Sequence, residues 1–199
     1  MKNEFKTNAS KDDKAYQIHK KYSNISIADV YKWNLADLIE IDDGLNAIMG
    51  KNGFKGDEDA FVTAFGKATF VPAANRSLGT TDGKNNVATT LNGIVKVTPS
   101  ASMWTILHEM GHVLSAAPTL DGRTTSSYGQ MYSNVFDHTR PGTTKYGTTN
   151  TGEDFADSFY AVIRYGPNNM PPNSISLDRI QVIVSLIQSY VDLDQTTGQ

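Results

Sequence analysis

The chain has 199 residues, of which 20% are charged and 10% aromatic, and its formal net charge is -3. That length suits one domain with a core of its own. The weakly acidic balance excludes a binder that relies on a large cationic surface, so neither nucleic acid nor anionic lipid is an expected partner. No cysteine is present, which excludes disulfides, thiolate metal sites and cysteine nucleophiles.

The opening stretch, MKNEFKTNASKDDKAYQIHKKY, holds no apolar run of the signal-peptide kind, and no segment reaches the roughly 18 apolar residues of a membrane span. A soluble protein is expected, secreted if a leader has been trimmed and cytoplasmic otherwise; oligomeric state is not legible. Over about residues 11–50 the pattern is helical. KDDKAYQIHKKY is charged and weakly amphipathic, and SIADVYKWNLADLIEIDDGLNAIM spaces Ile27, Val30, Leu35, Leu38, Ile41 and Leu45 by about three and four. Ser26 and Asp29 are placed for a capping box, and Gly44 is expected to divide the segment into two helices. DAFVTAFGKATFVP fits helix or strand until Pro72 ends it, and NRSLGTTDGKNNVATTLNG reads as loop or irregular edge. GIVKVTP alternates apolar residues around one lysine and stops at a proline, the pattern of a short strand.

SASMWTILHEMGHVLSAA then predicts a helix from about Ala101 to Ala116, with serines at its start and Pro118 just beyond its end. SSYGQMYSNVFDH suggests a short helix and TRPGTTKYGTTNTG an open loop. EDFADSFYAVIRY predicts a helix with Phe155, Phe159, Val162 and Ile163 on its apolar side, and SISLDRIQVIVSLIQSYV an amphipathic helix before a frayed DLDQTTGQ end. The fold class expected is α+β: one domain over 1–199, a small twisted mixed sheet ahead of the HEMGH helix, and a helical C-terminal part.

Two of the four histidines, His108 and His112, fall in LHEMGHVL. Residues four apart on a helix lie one above the other, so both imidazoles can address one point about 2 Å from each nitrogen. Glu109 lies one residue round, within reach of a water at that point without taking a coordination position. That division of labour fits a zinc hydrolase, in which one ion would lower the pKa of water and polarise a carbonyl while the carboxylate moves the proton. Satisfied core histidines are the bland alternative, and the search for a third ligand weighs between the two.

Continuation as HExxHxxGxxH is excluded, because Ser115 and Pro118 stand where glycine and histidine would be needed. GEDFADSF instead offers Glu153 at a helix start, with Asp157 one turn on, placed to accept a proton from the far nitrogen of a ligand histidine. Acids at a helix N-terminus also suit the macrodipole, but the stripe of Phe155 and Phe159 turns this helix inward and takes Glu153 with it. Asp154 is the alternative ligand if the helix is rotated by about 100°. His138 and Asp137, near TRPG, lack a helix to hold them. Tyr146, seven residues before Glu153, could donate a hydrogen bond to a developing oxyanion.

HEMGH with a distant glutamate resembles the gluzincin group of zinc metallopeptidases. YGTTNTGEDFADSF is similar to the corresponding part of the anthrax lethal factor family and the clostridial Pro-Pro endopeptidases. The resemblance covers about residues 93–165. It implies a zincin-like fold, His108, His112 and Glu153 as ligands of one catalytic zinc, Glu109 as general base, Tyr146 as oxyanion stabiliser, and Asp157 behind the ligands. EDFADSF also resembles the glutamate helix of ImmA/IrrE-type peptidases, whose spacing from the histidine motif is usually shorter.

A zinc-dependent endopeptidase is therefore expected. Its peptide or protein substrate would lie extended along an exposed edge within Ala68–Val97, between walls formed by the Pro118–Ser127 and Arg140–Gly152 loops. Arg123, Tyr128 and Tyr132 are candidate pocket contacts. Two other readings stand beside it: an inactive zincin-fold interaction or toxin-component domain that keeps zinc, and hydrolysis of a non-peptide amide.

Overall fold

The computed structural model describes residues 2–73, 88–99, 101–116, 132–136, 147, 149–171 and 175–197. Among them are seven helices and a four-stranded mixed sheet, an α+β arrangement. In chain order these are α1 (Lys2–Lys21), β1 (Ile25–Ile27), a 3-10 turn (Val30–Lys32), α2 (Leu35–Met49), α3 (Glu58–Phe65), β2 (Ala68–Pro72), β3 (Ala88–Leu91), β4 (Ile94–Val97) and α4 (Met103–Ser115). There follow a single helical turn, α5 (132–135), then α6 (Thr151–Tyr165) and α7 (Leu177–Thr197). None of the described helices is long and apolar enough to cross a membrane.

Several sequence expectations are corrected here. No helix starts at Ser26: Ile25–Ile27 is a strand parallel to β2, with Ile25 opposite Ala68 and Ile27 opposite Phe70. Helix α2 begins at Leu35, where the Asn34 side chain accepts a hydrogen bond from the Asp37 amide at 2.8 Å. Strand pairing therefore overrides the local capping signal at Ser26. Gly44 does not break α2. It lies against α4, where an added Cβ would sit 2.8 Å from Ile106 Cγ2, so the glycine serves close helix packing. The C-terminal DLDQTT continues α7 rather than fraying from it. The ambiguous DAFVTAFGKATFVP is both things in turn: α3, capped by Asp57, then β2, with Gly66 between them at φ 53.

The strand order is β1-β2-β4-β3, with β1, β2 and β4 parallel and β3 antiparallel at the edge. One face is apolar and covered, with Ile25, Ala68, Phe70, Val95 and Val97 buried, while Ile94 and Lys96 point away and are exposed. Strand β3, at the end of the strand order, lies in the segment read as loop or irregular edge. It turns into β4 through Asn92 and Gly93, whose φ values of 51 and 73 meet the left-handed requirement of a two-residue hairpin.

Helix α4 runs behind this hairpin at the centre of the fold, against β3, α2 and above all α6. Ser102 holds its N-cap position without a side-chain bond; the Glu40 carboxylate of α2 accepts from the Met103 amide at 2.7 Å instead. Gly111 sets the distance to α6, since a Cβ there would meet Ala156 Cα at 2.9 Å. Phe54, Phe61, Phe65 and Phe159 stack edge to face and obliquely behind that contact, tying α3 to α6.

Candidate metal centre

The close approach of α4 and α6 brings three side chains to one point. His108 and His112, one turn apart on α4, face each other with their Nε2 atoms 3.1 Å apart. Glu153 Oε2 lies 3.0 Å from the first and 3.2 Å from the second. Ligand atoms about 2.0–2.1 Å from a tetrahedral ion are spaced by roughly 3.3 Å, so the three observed separations approximate one face of such a site. His108, His112 and Glu153 could therefore hold a metal ion.

Each member is held from behind. Asn150 caps α6 by accepting from the Glu153 amide at 3.1 Å, which fixes Glu153 in the first turn, pointing across to α4. His108 Nδ1 donates to Asp157 Oδ1 at 2.8 Å, both groups being buried, and this leaves Nε2 as the nitrogen facing the triad. The Trp104 ring lies 5.5 Å from the His108 ring at an interplanar angle of 32°.

Electrostatics of the metal-free cluster follow from this geometry. Burial disfavours the imidazolium of His108, but hydrogen bonds to Asp157 and Glu153 outweigh it and raise its pKa to about 9. Burial likewise opposes the charge on Glu153, yet the two histidines lower its pKa to about 2. A cation held by these donors would have to displace the proton that the raised pKa keeps on His108.

Glu109, also buried, lines a cleft of about 330 Å³ with the triad, Val113 and the β3–β4 hairpin. Burial is the largest influence on its carboxyl and pushes the pKa up, against a hydrogen bond from Thr90 Oγ1 at 2.6 Å. Strand β3 forms the cleft's other wall, and among the described residues it pairs on one side only, with β4.

Known protein families, curated proteins and solved structures offer no match to this chain. The metal-site reading therefore rests on the residues and their geometry.

The remaining candidates divide clearly. Asp154 does not join the triad: it is fully buried, paired with Arg179 Nε at 2.7 Å and accepting from the Tyr132 hydroxyl at 2.8 Å. Tyr132 is correspondingly a packing residue rather than a pocket contact. Its ring meets Phe155 edge-on at 5.2 Å and its hydroxyl also meets Ser158 at 2.7 Å. Tyr146, Arg123, Tyr128, Asp137, His138 and most of the two expected wall loops lie outside the described residues.

Sequence reasoning missed β3, Thr90 and the Arg179–Asp154 pair. A signal for the first was present, since Asn92-Gly93 flanked by TTL and IVKV marks a hairpin. Nothing local distinguishes Arg179 from the polar side of an amphipathic helix.

Proposed function

We propose that the protein is a zinc-dependent endopeptidase of gluzincin type, with His108, His112 and Glu153 as the ligands of one catalytic ion. The observation that carries this reading is the convergence of two imidazole nitrogens and one carboxylate oxygen within 3.0–3.2 Å of one another. Two nitrogens and an oxygen at tetrahedral spacing suit zinc and leave a fourth position for water or substrate. When bound, the ion would supply Lewis acidity toward water and the scissile carbonyl.

The chain's own residues supply the rest. Glu109, basic for a carboxylate because it is buried, accepts the proton of the attacking water and returns it to the leaving amine. Asp157 holds His108 in the tautomer whose Nε2 faces the ion. Tyr146, by its spacing from Glu153, donates to the developing oxyanion. The peptide lies extended along β3, which borders the cleft, pairs on one side only among the described residues and can take a further strand on the other.

Zinc-loaded wild type and Glu109→Gln, assayed on a mixture of internally quenched peptides, test the proposal. Expected is one zinc in each protein and a loss of at least about 10²-fold in turnover for the variant. Undiminished hydrolysis by Glu109→Gln would refute the mechanism.

A further inference from the structure

We infer that Thr90 is a positioning residue for the hydrolytic base, a role resting on the endopeptidase reading above and extending it to the strand expected to receive substrate. In the β3–β4 hairpin Thr90 stands opposite Val95, and Ala88 opposite Val97. Side chains alternate across a strand, so Ala88 and Thr90 share the covered face with buried Val95 and Val97, while Leu91 is 72% exposed. A valine at position 90 would fill that face with the same shape. Threonine adds a hydroxyl, which must find a partner in a half-buried setting.

Its partner is the Glu109 side chain. Thr90 Oγ1 lies 2.6 Å from Glu109 Oε2 and 3.4 Å from the Glu109 main-chain oxygen. A hydroxyl has one proton, and the shorter contact takes it, at the length of a hydrogen bond to an ionised oxygen. Among the described residues no other hydrogen bond reaches that carboxylate. Glutamate has three rotatable bonds, so without this bond the carboxylate would be free to sample other rotamers in the cleft.

With Oε2 anchored, Oε1 is the oxygen left to take a proton, and the anchor is borne by the edge strand itself. Residues 90–93 line the same cleft as the triad. A peptide that adds to β3 therefore docks on the element that orients the base, so docking and base alignment depend on one strand position. A threonine that merely fills its strand predicts no such dependence, and the two accounts differ in what a methyl-for-hydroxyl exchange does.

The test uses acetohydroxamate, a small chelator whose ionisable proton a correctly placed carboxylate can accept and hold in a hydrogen bond when its oxygens bind the ion, which strengthens binding over release of that proton to solvent. Its affinity for zinc-loaded protein is measured by calorimetry for wild type, Thr90→Val, Thr90→Ser and Glu109→Gln, with zinc content measured for each. Expected is unchanged zinc in all four, binding about ten- to a hundred-fold weaker in Thr90→Val and Glu109→Gln, and near wild-type binding in Thr90→Ser, which keeps the donor. Wild-type affinity in Thr90→Val beside weakened binding in Glu109→Gln would overturn the inference alone. So would a Thr90→Ser variant that follows Thr90→Val, since the lost methyl would then account for the effect. Unweakened binding in Glu109→Gln would overturn the base assignment and the inference with it.

Discussion

Replacing Gly111 with alanine tests how the α4–α6 contact builds the centre. The added Cβ would lie 2.9 Å from Ala156 Cα, 3.2 Å from its carbonyl oxygen and 3.3 Å from its Cβ. Two of those atoms are backbone, so the helix as a whole must move. Ordinary carbon–carbon contact is about 3.5–4.0 Å, which calls for the helices to part by roughly 0.6–1.1 Å at this point. Alanine gains about 0.8–1.0 kcal/mol over glycine in a helix interior, while overpacking costs about 1–3 kcal/mol. The metal-free variant should therefore be destabilised by about 0–2 kcal/mol in urea unfolding. The ligands are far less tolerant, because metal–ligand distances hold to about ±0.2 Å and Gly111 sits between His108 and His112. Zinc affinity, read by competition with a chromophoric chelator, should fall by tenfold or more, about 1.4 kcal/mol. A variant with wild-type zinc affinity, or one more stable than wild type by the full helix-propensity gain, would refute the idea that this glycine sets the spacing.

Arg179→Leu should cost about 3–5 kcal/mol in urea unfolding, because Asp154 would be left buried without its cation; a loss under about 1 kcal/mol would contradict that account. Zinc binding should depend on pH through His108, which is protonated below about 9 in the metal-free protein and must lose that proton to a metal. Below about 9 the apparent affinity should rise with pH, about tenfold per pH unit for that one proton, and then level off, and a flat profile in chelator competition at a series of pH values would contradict the cluster. Stability of the metal-free protein should move in the opposite sense. The raised His108 pKa contributes fully below the ordinary histidine value of 6.5 and is lost as pH climbs through about 9. The lowered Glu153 pKa contributes above the ordinary glutamate value of 4.5 and is lost as pH falls toward about 2. Thermal unfolding of chelator-treated protein across that range checks both limbs.

The triad was legible because its signals are local: a four-residue spacing on a helix, and a glutamate at the start of another helix whose phenylalanines turn it inward. Which of Glu153 and Asp154 faces the histidines depends on the rotation of α6, and Arg179 and Tyr132 hold Asp154 away from the triad. Both partners are distant in sequence, so a window around EDFAD holds the phenylalanine stripe that favours Glu153 but not the contacts that occupy Asp154. The same holds for the N-terminal region. Ser26-x-x-Asp29 and Asn34-x-x-Asp37 are equivalent as capping signals, and pairing of Ile25–Ile27 with β2 decides between them. Gly44 looked like a break because propensity is local, whereas Ile106 on another helix is what requires it. The hairpin was the avoidable miss. Asn92-Gly93 carries a backbone requirement that a reading as loop or irregular edge leaves unused, and with β3 went Thr90, although the exposed edge expected within Ala68–Val97 contains that strand.

The most direct measurement is metal content by mass spectrometry on protein purified without a histidine tag, beside Glu153→Ala. The account predicts about one zinc per chain in the wild type, lost or greatly weakened in the variant. Folded wild-type protein that takes up no zinc when zinc is offered would contradict it.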